Sequence, residues 1–118
     1  NYAMDVRATA RHLPISAQKM RLVCDQVRGM DADQALTVLR FTPHKGAGLL
    51  AKLIESAIAN AETNFELNRQ DLYVTHLAAN EGPRMRRMKA GARGRYKTRV
   101  KRSTHLVLVL TERQEEIA

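Results

Sequence analysis

From residue 4 the chain alternates, with Met4, Val6, Ala8 and Ala10 apolar and Asp5, Arg7, Thr9 and Arg11 polar. A period of two predicts a strand with one dry face and one wet, partly basic face. Leu13-Pro14-Ile15 ends the alternation, and Ser16 is placed to cap a helix, with Ile15 and Met20 spaced as a hydrophobic staple across the cap. Met20, Val23, Cys24 and Val27 then recur at intervals of three and four, a core stripe that Gly29 closes. Lys19 and Arg21 point away from that stripe. On the residues alone they suit either a solvated face or a contact with a partner.

Asp31 and Gln34 have the spacing of a capping box and predict a short second helix with Ala35, Leu36 and Leu39 on its buried side. Thr42-Pro43 reads as the close of that helix and the start of a third. The third runs to about Phe65, with Leu50, Leu53, Ile54, Ala57, Ile58 and Ala61 forming a broad apolar face. At about 1.5 Å per residue it is roughly 35 Å long, the spine of the core. A polar connection from Asn64 to Asp71 leads to two further strand patterns, Leu72 to Pro83 and Thr104 to Glu112. Glu112 to Ala118 carries no pattern and reads as a frayed tail. The expected fold is α+β, three helices packed on a small three-stranded antiparallel sheet, as a single domain over residues 1–118.

Charge changes this picture at one place. Arg84 to Arg102 holds ten of the twenty Lys and Arg residues and no acid, so it carries +10 while the rest, ten bases against twelve acids, carries −2. Such asymmetry is an address for a polyanion. Gly91 and Gly94 sit near the middle of the run, where a chain that reverses direction needs residues tolerant of positive φ. With the flanking strands, residues 80–106 then read as a long projecting basic β-hairpin with an apolar root. Nine steps separate Gly82 from Gly91, a reach of roughly 30 Å at about 3.3 Å each, against a radius of gyration of about 13 Å for a compact domain of this size. A two-stranded ribbon of like charges is marginal in water, so its outer half is expected to order when anions neutralise it.

The arm has chemical character. Arg outnumbers Lys there seven to three, and the planar guanidinium grips phosphate bidentately and stacks on bases. Arg95, Lys97, Arg99 and Lys101 share strand parity and form one cationic row, with Tyr96, Thr98 and Val100 on the other side. Tyr96 is the one aromatic residue of the arm, so recognition is expected to be of folded shape and phosphate positions and not of stacked single strands. Met85 and Met88, interleaved with the charges, suit either packing within the ribbon, the favoured reading, or adaptable contacts with bases.

Other functions find no support in the residues. No run of about twenty apolar residues could span a membrane. Cys24, the one cysteine, reads as a small core residue of a reducing compartment. His12, His44, His76 and His105 lack the short spacings of metal ligands. Ser16, Ser56 and Ser103 have no nucleophile-elbow context, and Gly91 to Gly94 lacks the lysine-serine ending of a phosphate loop. A nuclease built from His76, His105 and Glu81 would be arithmetic on common residues. The reading is of a protein that is no enzyme and needs no cofactor, metal or small-molecule substrate.

These segments resemble the bacterial-type large-subunit ribosomal protein L twenty-two family. ISAQKMRLVCDQVRG (Ile15 to Gly29) looks like its first helix, ESAIANAE (Glu55 to Glu62) like the middle of its long helix, and NEGPRMRRM (Asn80 to Met88) like the start of its hairpin. Ala92-Arg93-Gly94-Arg95, followed after nine residues by His105 to Leu110, is the most specific match. The resemblance implies an architectural protein of the cytoplasmic or an organellar ribosome, with large-subunit ribosomal RNA, neighbouring ribosomal proteins and the nascent polypeptide as partners and a hairpin lining the exit tunnel. It implies RNA contacts at Lys19, Arg21, Arg84, Arg86, Arg87, Lys89, Arg93, Arg95, Lys97, Arg99, Lys101 and Arg102, and a tunnel-facing tip of Met88, Lys89, Ala90, Gly91, Ala92 and Arg93. Two departures stand out: Gly91 occupies a position where Arg or His is usual, and Ala79-Asn80 replaces an acidic residue before Glu81-Gly82-Pro83. The rival reading is an architectural DNA binder with a β-arm, but Lys89-Ala90-Gly91-Ala92-Arg93 offers no proline or large apolar wedge to insert between base steps.

Overall fold

The opening alternation does become a strand. In the computed structural model, which describes residues 4–82, 85–90, 96–101 and 103–113, β1 spans Asp5–Leu13. Val6 is buried and Ala8 and Ala10 are half-buried on one side, while Arg7, Thr9 and Arg11 are exposed on the other. Met4, expected on the dry face, is 42% exposed; strand pairing begins one residue later, at Asp5 opposite Thr111. The register slips between Ala10 and Leu13, where His12 takes φ 57°.

The centre of the sheet is β5 (Thr104–Glu112), flanked by β1 and by β2 (Leu72–Glu81) in the order β1-β5-β2, both pairings antiparallel. Thr104, Leu106, Leu108 and Leu110 face the helices and are buried, and His105, Val107 and Val109 are half-buried on the open face. Register aligns three rungs of the core: Val6, Leu110 and Val74; Ala8, Leu108 and Leu77; Ala10, Leu106 and Ala79. In β2 the inward residues are Leu72 and Val74, then Leu77 and Ala79, so their parity changes along the strand. A bulge between Val74 and His76 supplies the extra residue that makes this work. Without it, half of the strand's apolar side chains would turn to water.

Helix α1 (Ala17–Val27) starts where the Ser16 hydroxyl accepts the Lys19 N–H at 3.4 Å. Met20, Val23, Cys24 and Val27 are fully buried, and the helix ends as Gly29 turns to φ 87° and donates its N–H to Val74. Helix α2 (Ala32–Arg40) begins after Asp31, but the capping box does not form. The Asp31 carboxylate instead accepts Nε of Arg113 at 2.8 Å, and a charged donor makes a stronger hydrogen bond than a neutral amide.

The third helix, α3 (Lys45–Asn64), starts two residues later than Thr42-Pro43 suggested, with His44 at its N-cap. Thr42 belongs to the end of α2: its hydroxyl donates to the Val38 carbonyl at 2.8 Å. At about 1.5 Å per residue, the twenty residues of α3 span about 30 Å. Every apolar position expected on its buried face is buried, together with Gly46 and Ala47. A Cβ on Gly46 would stand 3.2 Å from Sδ of Met20 and 3.3 Å from Cδ1 of Ile15. The expected staple pair therefore closes on the backbone of α3, and α1 and α3 meet there. The face of the sheet under the helices is shared, α3 lying against β1 and α1 against β2.

Between β2 and β5, strands β3 (Met85–Ala90) and β4 (Tyr96–Lys101) pair as a second, two-stranded antiparallel sheet. The reversal expected at Gly91 and Gly94 and the tail at 114–118 lie outside the described residues.

Candidate nucleic-acid interface

The pairing of β3 with β4 sorts the basic residues of the arm. Met85 stands opposite Lys101, Arg87 opposite Arg99 and Lys89 opposite Lys97, while Arg86, Met88 and Ala90 stand opposite Val100, Thr98 and Tyr96. Residues opposite one another, and alternate residues along each strand, share a face. Arg87, Lys89, Lys97, Arg99 and Lys101 thus occupy one face together, and Arg86 alone of the cations in these strands occupies the other. The sequence gives the β4 row; the register adds Arg87 and Lys89 to it. Like charges placed directly opposite one another, as at Arg87 and Arg99 or Lys89 and Lys97, weaken such a pairing. Arg84, Arg93, Arg95 and Arg102, with Gly91 and Ala92 of the expected tip, lie outside the described residues.

The root of the arm is tightly built. Gly82 donates its N–H to the Ser103 carbonyl at 2.9 Å. A Cβ on Gly82 would collide with the Ser103 hydroxyl and stand 3.3 Å from the His105 ring, so a side chain there would have to displace the Ser103 hydroxyl. On the other side, His12 donates its N–H to Nδ1 of His105 at 3.1 Å, and the two rings meet edge to face with centroids 4.9 Å apart. The bulge in β1 thus clasps the first residues of β5 beyond the arm. His76 pairs with Val109, four residues along β5 from His105, about 13 Å at strand rise. The two imidazoles named for a nuclease do not converge, and among the described residues no group of three or more His, Cys, Asp or Glu could hold a metal.

The cations of α1 do three different things. Lys19 lines a cleft between the starts of α1 and α3. Arg21 lines a smaller cleft on the other side of the helix, with Glu81, Gly82 and Ser103 at the arm's root, and its Nε donates to the Ala79 carbonyl at 3.1 Å. Arg28, which the sequence reading passed over, sits seven residues further along the same helix face and donates to the Leu77 carbonyl. Since β2 is an edge strand, its outward carbonyls need donors, and two arginines supply them. The signal was the i, i+7 spacing of Arg21 and Arg28 facing a strand of unknown position.

A family model described as ribosomal protein L22p/L17e matches residues 8–111. The chain belongs to this family. The large ribosomal subunit protein uL22 of Thermoanaerobacter sp. (strain X514) is 47% identical over 111 residues, covering 94% of this chain and 100% of its own. That of Finegoldia magna is 45% identical over 94% and 99%, and that of Desulfotalea psychrophila 46% identical over 92% and 99%. Like the rest of the uL22 family, the protein is a structural component of the large ribosomal subunit and not an enzyme. Among the described residues no helix is long and apolar enough to cross a membrane.

Proposed function

We propose that the chain anchors itself in large-subunit ribosomal RNA through its basic arm and the α1 cations, and that the arm, residues 80–106 of a single domain, reaches the peptide exit tunnel with residues 88–93 at its tip. The observation that carries the RNA-binding part is the register of β3 and β4, which gathers five cations on one face of a two-stranded ribbon. A ribbon charged on one face can lie in a groove between nucleic-acid helices while its other side, with Val100, Met88 and Tyr96, meets packed RNA or protein. The uL22 names of the relatives favour ribosomal RNA over DNA as the polyanion, and neighbouring ribosomal proteins as further contacts.

Binding of the full chain to folded large-subunit RNA fragments and to duplex DNA of equal length, across a salt series, tests this. Ten engaged cations give a log-log slope of roughly −9 on a duplex, from about −0.9 per phosphate, and roughly −7 on single-stranded stretches. One RNA fragment should retain binding at high salt, after the non-specific component has faded. Equal loss on RNA and DNA at every salt would defeat the reading. The tunnel placement is tested by a photoreactive residue at Ala90 in translating ribosomes, which should crosslink to the nascent chain; crosslinks to RNA and ribosomal proteins alone would refute it.

A further inference from the structure

Between the N-terminal ends of α1 and α3 lies a cleft of about 560 Å³, within the roughly 300–1,000 Å³ of small-ligand sites. Its walls are of two kinds. Pro14, Leu22 and Val23 provide apolar surface, and Lys19, Lys45 and His44 stand around it with no carboxylate in the lining. Leu22 is 65% exposed although it sits in the middle of a helix, an apolar side chain held at a basic opening. Lys45 is not a loose surface cation: its ammonium donates to the Pro14 carbonyl at 3.3 Å, bridging the two sides of the cleft and leaving further donors for a ligand. His44 also lines the cleft, and His is among the residues on which unstacked bases stack.

An apolar peptide would leave the two ammonium groups unmatched, and a bare anion would leave the apolar wall wet. An unstacked nucleotide fits both, its base against Leu22, Pro14 and the His44 ring and its phosphate between Lys19 and Lys45. We infer that this cleft seats one unpaired, splayed-out nucleotide of the bound RNA, a base-reading contact separate from the shape-reading arm. The inference rests on the RNA-binding reading above.

The test is amide NMR of the full chain with adenosine 5′-monophosphate, adenosine and inorganic phosphate, alongside affinity for a ribosomal RNA fragment. The monophosphate should shift the amides of Ser16 to Val23 and His44 to Ala47 saturably, and more strongly than either half-molecule. Leu22→Glu should abolish these shifts and weaken RNA binding about tenfold, on the scale of one stacked base lost, with an unchanged thermal transition because Leu22 lies outside the core. The inference is overturned if inorganic phosphate alone reproduces the pattern, if the cleft amides do not move, or if Leu22→Glu leaves RNA affinity intact. In each of those cases the RNA-binding reading survives as long as the wild-type chain binds the fragment; absence of that binding defeats the reading itself.

Discussion

The guanidinium of Arg28 reaches from α1 to the edge of the sheet, where Nε and Nη2 both donate to the carbonyl oxygen of Leu77, at 3.2 and 2.7 Å. That carbonyl belongs to a partly buried stretch of an edge strand, so the arginine does for β2 what another strand would do. Arg28→Met keeps the aliphatic stem and removes the donors, and should lower unfolding free energy by about 1–3 kcal/mol in urea titration. Arg28→Lys should recover part of the loss. The pair with Asp25 at 2.6 Å is exposed on both sides, so Asp25→Asn should change stability by less than about 1 kcal/mol.

Gly29 carries φ 87°, and a Cβ there would meet nothing within 4 Å. The cost of a side chain is therefore conformational alone. Gly29→Ala should destabilise by about 1–2 kcal/mol, and Gly29→Asn by less, because Asn tolerates the left-handed region. Thermal melts of the two variants check the order.

Burial pushes the Cys24 thiol from 9.0 up to about 11, against a smaller opposing pull from Arg28. The folded-state value lies above the unfolded one, so this group's contribution to stability is full below pH 9 and is lost as pH rises towards 11. Stability should fall more steeply across that window in the wild type than in Cys24→Ala. At pH 8 a thiol reagent should modify the native protein only at the rate of its opening.

The hydroxyl of Thr104, fully buried, donates to the Ile15 carbonyl at 2.5 Å and ties the start of β5 to the turn before α1. Thr104→Val preserves shape but leaves that carbonyl without its donor, an expected loss of about 1–3 kcal/mol by denaturant titration. Thr104→Ser should retain most of the bond.

Removing residues 85–95 should leave the cooperative thermal transition in place. The core rungs use β1, β2, β5 and the helices, and none uses the arm. Loss of the transition would show that the arm is needed for folding.

Much of the globular part was legible because burial there is periodic. The stripe from Met20 to Val27 and the face from Leu50 to Ala61 each obey one helical period, and each is buried as expected. Helix starts were less legible, because side chains that suit a cap can find better partners elsewhere: Asp31 is taken by Arg113, and Thr42 by the preceding turn. Strand order was not legible at all, since Leu72 to Glu81 and Thr104 to Glu112 carry no mark of which lies at the centre. The roles of Arg21 and Arg28 depended on that order. The basic segment announced itself by composition, whereas the membership of its cationic face needed the pairing of Arg87 with Arg99 and Lys89 with Lys97. The cleft between α1 and α3 escaped because Lys19 and Lys45 are brought together only by the crossing at Gly46.

Within the three-stranded sheet the central strand is also the last in chain order, and β1 and β2 pair there with it and not with each other, although Tyr73 of β2 also bridges to Asp31. During synthesis, β1 and β2 therefore emerge before the strand that joins them, and the sheet can close only after Thr104 to Glu112 has emerged. Its pairings span most of the chain, as with Val6 and Leu110, so closure is slow in the way that non-local contacts are slow. A chain truncated before Thr104 would lack the strand that β1 and β2 both pair with.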